Sequence, residues 1–301
     1  MKNYLKLIKH IINNGTDAMY RNGIRRSCFN QTLEFDLRKG FPLVTTKKVN
    51  WKTPLAEMLW FISGSTNTKD LVKQGVPNIW DMWQLHEDDV VNVSSDFEVG
   101  DIGPMYGYLW RKWPNVLNKY PGFSLMNKTI DQLRNVVESI KKHPHTTRHF
   151  VSAFNPVFAA DPDISPQENI LQGRGCLNPC HRGFTCIVRD IDNVKHLSLH
   201  FEMGSNDVAI GMPYNIAGYA LLLTLIAKEV DMVPHMLYYN GVDVHLYEEH
   251  FELARMQAEL KPGKLPVLHV NQDVGLFDCT IDDLMITGYE PVGGHIPYKL
   301  K

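Results

Sequence analysis

The chain contains no apolar run long enough to cross a bilayer. Its longest, Ile216 to Ala227, is interrupted by Gly218 and Thr224 and is shorter than a membrane helix requires, so it reads as a buried helix. Long basic runs are also missing: 31 Lys and Arg stand against 33 Asp and Glu, spread along the chain. That balance gives no grip on a polyanion through counterion release, and nucleic acid is not the expected partner. Internal repeats and low-complexity stretches are absent, which excludes solenoids and arrays. Met1 to Asn14 mixes Lys2, Lys6, Lys9 and His10 with apolar residues and lacks the apolar core and small-residue cleavage site of a signal peptide. It is expected to be a surface helix of a cytoplasmic protein.

Cysteine is scarce. The five present, Cys28, Cys176, Cys180, Cys186 and Cys279, are odd in number and irregularly spaced, which fits a reducing compartment rather than a disulfide framework. Cys176, Cys180 and Cys186 lie close together beside His181, so a zinc site has to be weighed. Alternation makes Cys186 a strand residue, and no Cys-x2-Cys pair supplies the usual metal knuckle, so no metal is expected.

With 44% apolar and 21% charged residues, the chain has enough hydrophobic material for one large core or two modest ones. Period-two alternation sets Leu197, Leu199, Phe201 and Met203 on one face and His196, Ser198, His200 and Glu202 on the other. Thr185 to Arg189 is expected to pair with that strand through the polar turn Asp190 to Lys195. Further strands are expected at Leu33 to Leu37, His149 to Phe154, Met236 to Asn240 and Val267 to Val270. Helices are expected at Thr53 to Ile62, Ile130 to Lys142 and Glu248 to Glu259. Strands and helices without regular alternation indicate an α+β fold with helices on one face of a sheet. Gln84 to Val99, Pro114 to Lys128 and Asn155 to Gly175 read as loops or insertions.

Several residues could carry chemistry. Cys180 lies in Leu177-Asn178-Pro179-Cys180-His181, a loop-to-strand junction, with Arg148, Arg174 and Arg182 as candidates to stabilise a thiolate. A Cys-His pair taken alone reads rather as an inert buried cysteine beside a histidine. Asn215, in Gly211-Met212-Pro213-Tyr214-Asn215, offers both a donor and an acceptor, matching the N3-H and O4 edge of a uracil; an Asn at a helix entry also serves simply as a cap. His245 and Tyr247 share one side of an extended segment and could bind a sugar hydroxyl, or satisfy each other. Glu57, among large apolar residues, suits proton transfer if its pKa is raised, or is a surface Glu.

Taken in order, these clusters resemble the thymidylate synthase family from about Arg21 to the C-terminus. The resemblance rests on Gly40-Phe41-Pro42-Leu43-Val44-Thr45-Thr46-Lys47-Lys48, Glu57 to Ile62, Ile79-Trp80-Asp81, Gly100-Asp101-Ile102-Gly103-Pro104-Met105-Tyr106-Gly107, Pro179-Cys180-His181, Ser205 to Ala217, and Asp243 to Tyr247. It implies a single catalytic domain over residues 1–301, a large mixed or antiparallel β-sheet with helices on one face, and a sheet-to-sheet homodimer. It also implies a pyrimidine nucleoside monophosphate and a reduced folate, 5,10-methylenetetrahydrofolate, as reactants. On that footing Cys180, with His181 beside it, is the C6 nucleophile, and Asn215 reads the base. His245 and Tyr247 hold the 3′-hydroxyl, and Glu57 and Tyr106 move protons around C4 and C5. Asp207 contacts the pterin, Gly211 and Trp80 line the folate site, and Lys48 meets the folate tail. Ser205, Arg21 and Arg148, the last lent by the other subunit, bind phosphate.

Departures from the family pattern are equally informative. Gly204 stands where an Arg beside the serine is expected, and Thr147 replaces the first of the lent arginine pair. The phosphate loop reads Arg21-Asn22-Gly23-Ile24-Arg25-Arg26-Ser27, so Arg25 or Arg26 is expected to restore the lost charge. Asn155 to Gly175 is roughly a dozen residues longer than in compact members and lies near the nucleophile. The expected reaction is methylation of dUMP to dTMP. The alternatives are 5-hydroxymethylation of dUMP or of dCMP or CMP and, more remotely, a non-catalytic member that binds nucleotide or RNA. Asn215 favours uracil, since cytosine-specific members tend to carry Asp there. Intact Cys180, Glu57, Tyr106, Asn215 and His245 argue for catalysis.

Overall fold

The computed structural model describes residues 1–20, 23–91, 93, 96–114 and 129–299. In chain order its elements begin with α1 (Lys2–Asn14), β1 (Thr16–Tyr20), β2 (Gly23–Asp36), α2 (Lys52–Ser63), α3 (Thr68–Val72), α4 (Glu87–Val90), α5 (Tyr106–Arg111) and α6 (Gln132–Lys142). They continue with β3 (Phe150–Ser152), α7 (Pro166–Leu171), β4 (His181–Ile191), β5 (Val194–Asp207), α8 (Gly211–Glu229), β6 (Val233–Tyr247), α9 (Phe251–Glu259), β7 (Val267–Val270) and β8 (Leu284–Thr287). The chain divides into two compact units, Met1–Met58 with Cys186–Lys301, and Leu59–Thr185.

The first unit is built on a mixed sheet in the order β1-β2-β6-β5-β4. β1 and β2 pair antiparallel, β2 and β6 pair antiparallel from Arg25↔Tyr247 to Asp36↔Met236, and β5 and β6 run parallel. A parallel pair needs a crossover, and α8 supplies it. This helix is apolar all round and buries Met212, Ile216, Leu221, Leu222, Leu225 and Ile226, as a central core helix should. Each fully buried Leu or Ile contributes roughly 1.5–3 kcal/mol. Tyr219 stacks on Phe201 of β5 with ring centroids 4.0 Å apart and planes at 15°. The expected β4–β5 hairpin turns through Asp192 and Asn193, at φ 50° and 61°, the left-handed pair that matches the twist of adjoining strands. α1 is amphipathic and turns Tyr4, Leu5, Leu7, Ile8, Ile11 and Ile12 inward. β7 and β8 form a separate two-stranded sheet.

In the second unit β3 pairs antiparallel with the first residues of β4, from Phe150↔Thr185 to Ser152↔Gly183. α6 begins with Asp131 accepting from the Arg134 N–H at 2.9 Å and buries Leu133, Val136, Val137 and Ile140.

The α+β class with a mixed sheet is as the sequence suggests, and β7 falls on its expected span. β2 and β6 run well past theirs. Two expectations need correction. Asn155 to Gly175 is not a bare loop: Ser165 accepts from the Glu168 N–H at 3.1 Å while Glu168 accepts from the Ser165 N–H at 2.8 Å. That capping box launches α7, with Pro166 at the first helical position. Gln84 to Val99 carries the short helix α4. Of the insertion expected at 114–128, all but Pro114 lies outside the described residues. Among the described residues, no helix is long and apolar enough to cross a membrane.

Candidate functional site

In the second unit Cys180 is half-buried just before β4, and its backbone N–H donates to Tyr106 Oη at 3.1 Å. Two glycines bring Tyr106 there. Gly103 has φ +73°, and a Cβ on it would lie 2.2 Å from the Arg174 carbonyl oxygen; a Cβ on Gly107 would lie 2.5 Å from that of Phe61. Only glycine permits both approaches. The Cys176 N–H donates to Ile102 O at 3.0 Å, so the segment before Cys180 is stapled to the segment before Tyr106.

Aromatic rings close around this point. Tyr106 lies 4.7 Å from the His181 ring, 4.9 Å from Phe61 and 5.8 Å from Trp80, and Trp80 also meets Trp60 and Trp83. Burial among these rings lowers the His181 pKa from its ordinary value to about 3, so near neutral pH its imidazole is uncharged. It cannot stabilise a thiolate as a cation. Arg174 faces Asp161 at 3.4 Å. The other thiols of this stretch are inert: burial raises Cys176 well above its usual range and pushes Cys186 up to about 12.

The segment Asn155 to Gly175 touches the loop that carries Cys180. Asn178 accepts from the Ala160 N–H at 3.1 Å and donates to Ala160 O at 3.2 Å, while Gln167 of α7 donates to Gln84 O at 2.9 Å. Arg148 is exposed just ahead of β3.

The first unit gathers most of the other expected residues. Strand register places Ser205 opposite Asp243, Asp207 opposite His245, and Arg25 opposite Tyr247. His245 and Tyr247 are buried, with rings 5.3 Å apart. Arg25 lies 2.8 Å from Asp243 and stacks 3.4 Å from the Tyr20 ring centroid, and its buried Nε has no hydrogen-bond partner among the described residues. Burial raises the Asp243 pKa, but a hydrogen bond from His245 and the Arg25 charge outweigh it and leave a net lowering.

Arg26 is committed elsewhere. Its Nε and a terminal nitrogen donate to the two Asp17 carboxylate oxygens at 2.6 and 2.7 Å, and it also donates to Ile12 O at 2.8 Å. Of the two arginines expected to restore phosphate charge, Arg25 is the one whose buried Nε keeps no hydrogen-bond partner among the described residues. Arg21 lies outside the described residues.

Asn215 sits within α8, beyond the first turn, so it is not a cap. Its Oδ1 accepts from Asn206 Nδ2 at 2.7 Å. Glu57 is half-buried in α2, and its charge raises the pKa values of Tyr214 and Tyr219, though burial is the larger cause in both. Asp207 accepts from the Ala209 N–H at 2.8 Å. Burial raises its pKa, opposed by His245, the Ala209 hydrogen bond, His250 and Lys47.

Sequence reasoning passed over Lys47. It is buried, donates to Ala209 O, and has its pKa lowered to about 8 by burial, against the pull of Asp207. Lys48, named instead for the folate tail, is exposed. The two adjacent lysines carry no sequence signal to tell them apart; burial does. Asn206 carries no sequence signal of its own within Ser205 to Ala217. Compared with models of known protein families, residues 2–300 match the one described as Thymidylate synthase.

Proposed function

The chain belongs to the thymidylate synthase family, and on that footing we propose that it methylates dUMP to dTMP with 5,10-methylenetetrahydrofolate. Family membership carries folate-dependent one-carbon transfer to C5 of a pyrimidine nucleotide. Base, product and residue roles are the proposal. One observation favours methylation: Trp80 is buried against Trp60, Phe61 and Tyr106, and Tyr106 holds the backbone of Cys180. Hydroxymethylation needs water to reach the new carbon. A wall of packed rings excludes water and favours hydride transfer.

The Cys180 thiolate adds to C6, which makes C5 nucleophilic and opens the route. Asn215 supports uracil because an amide can both accept from N3-H and donate to O4. Glu57 and Tyr106 move protons around C4 and C5, and His181, uncharged, packs beside Tyr106 rather than acting as an acid. His245 and Tyr247 hold the 3′-hydroxyl. Ser205, Arg21, Arg25 and Arg148 of the partner subunit bind phosphate in a homodimer.

Asp207, Gly211, Trp80 and Lys48 hold the folate, and Lys47 balances the Asp207 charge. The folate supplies the one-carbon unit and, for methylation, the hydride. A half-buried carboxylate with a raised pKa, coupled electrostatically to the buried Lys47 ammonium, suits the polar edge of a pterin.

Incubation with dUMP and methylenetetrahydrofolate, followed by mass spectrometry of the nucleotide, tests the reading. A methyl-group gain with formation of dihydrofolate supports it. A hydroxymethyl gain with tetrahydrofolate overturns methylation, and an unchanged nucleotide overturns turnover of dUMP altogether.

A further inference from the structure

Uracil and cytosine present mirrored hydrogen-bonding edges. Uracil offers a donor at N3 and an acceptor at O4, whereas cytosine offers an acceptor at N3 and a donor at the 4-amino group. A side-chain amide has the same shape either way up, with donor and acceptor exchanged. An unrestrained Asn could therefore read either base by turning over. Selectivity from an Asn requires another group to fix its flip state.

Asn206, the penultimate residue of β5, is placed to do this. It is 4% exposed and Asn215 is 8% exposed, and Asn206 Nδ2 donates to Asn215 Oδ1 over 2.7 Å. Gly211 at the start of α8 lies against the pair: a Cβ there would sit 3.5 Å from Asn206 Nδ2 and 3.7 Å from Asn215 Oδ1. Turning both amides over would preserve one hydrogen bond between them. Turning Asn215 alone would set its amino group against that of Asn206, and the hydrogen bond would be lost. Two N–H donors would then face each other, and a buried donor without an acceptor is costly. The flip state of Asn215 is therefore tied to that of Asn206.

We propose that Asn206 is a positioning residue for base choice: it holds the Asn215 amide in one of its two flip states, so that the site accepts one pyrimidine over the other. This rests on the reading that Asn215 recognises the base. It concerns the ratio of affinities for two bases, not the existence of the reaction.

Calorimetric titration of the full-length protein with dUMP and with dCMP tests it without folate or turnover. The parent should prefer one base at least tenfold. In Asn206→Ala, with the thermal unfolding transition still cooperative, that ratio should shrink at least tenfold, or about 1.4 kcal/mol. Asn206→Asp, ionised and able only to accept, should draw the Asn215 amino group toward itself and shift preference to the other base. Asn206→Ala should add nothing to the ratio in an Asn215→Ala background. A parent without preference, an unchanged ratio in both Asn206 variants, or a further change on top of Asn215→Ala would each overturn the proposal. A parent preferring dCMP would instead overturn the uracil assignment made above, and the role of Asn206 would still be decided by whether the ratio moves.

Discussion

Cys180 is set apart from the other cysteines by its surroundings. Cys28, Cys176 and Cys186 are buried with raised pKa values, and Cys279 is pushed up to about 11 by burial first and by Asp283 second, whereas Cys180 is half-buried with its N–H on Tyr106. Cys180→Ala should fold normally and lose turnover by about a thousandfold, ~4 kcal/mol of barrier. Steady-state kinetics check this, and a variant keeping more than about a tenth of the parent rate would remove Cys180 from the nucleophile role. His181 makes a prediction about pH. Its folded pKa, about 3, lies below the ordinary histidine value of about 6.5, so between those values the unfolded chain binds the extra proton. The stability contribution of the neutral histidine is therefore complete above about pH 6.5 and lost progressively as pH falls toward 3, at up to about 1.4 kcal/mol per pH unit. Urea unfolding from pH 7 to 4 should show a shallower decline in His181→Gln than in the parent. Parallel declines would mean that His181 takes up no extra proton on unfolding.

At the scale of elements, β2 divides the labour of its two arginines. Alternation sends Arg25 toward Asp243 and Arg26 toward Asp17 and the end of α1. Arg25 can keep Asp243 and still offer Nε, since a guanidinium carries five donors. Arg25→Ala is expected to reduce the preference for dUMP over deoxyuridine, measured as the ratio of kcat/KM values, by about tenfold or more. Arg26→Ala should leave that ratio alone and cost up to about 1 kcal/mol of stability, since its ion pair is partly exposed. Equal use of nucleoside and nucleotide by the parent would rule out a phosphate role for either residue. The β4–β5 turn offers a second check. Asn193, at φ 61°, should lose about 1 kcal/mol on change to Ala and little or nothing on change to Gly, as seen by denaturant midpoint. An equal loss in both variants would mean that the turn conformation does not limit stability.

At the scale of the whole molecule, the prediction concerns assembly. Arg148 is exposed, as suits a residue lent to a neighbouring copy, and the proposed homodimer puts Arg148 of one subunit in the site of the other. Arg148→Ala and Cys180→Ala should each be nearly inactive alone. Mixed under conditions that exchange subunits, they should recover up to about a quarter of the parent activity, because half the dimers are hybrids with one intact site. If the mixture stays as inactive as its components while subunit exchange is shown by mass, Arg148 is not lent.

The sequence by itself determined the elements with strong local signals: the alternation of β5, the buried apolar helix at Ile216 to Ala227, which α8 extends at both ends, and the helix expected at Ile130 to Lys142, which begins two residues later as α6. Motif order also determined the family, since Pro179-Cys180-His181 and Asp243 to Tyr247 are contiguous stretches whose residue types carry the resemblance. Other features were settled only in three dimensions, because they depend on which residues meet across large separations. Neither Lys47 nor Lys48 has a distinguishing neighbour in sequence, yet burial beside Asp207 selects Lys47. Arg25 and Arg26 read alike until strand pairing gives each its own carboxylate, Asp243 and Asp17. Asn215 carried two readings, cap or base reader, and its place beyond the first turn of α8 removed the first. Its bond to Asn206 joins a strand end to a helix between buried side chains, where losing that bond would set two donors face to face, and no local pattern in the chain encodes that pairing.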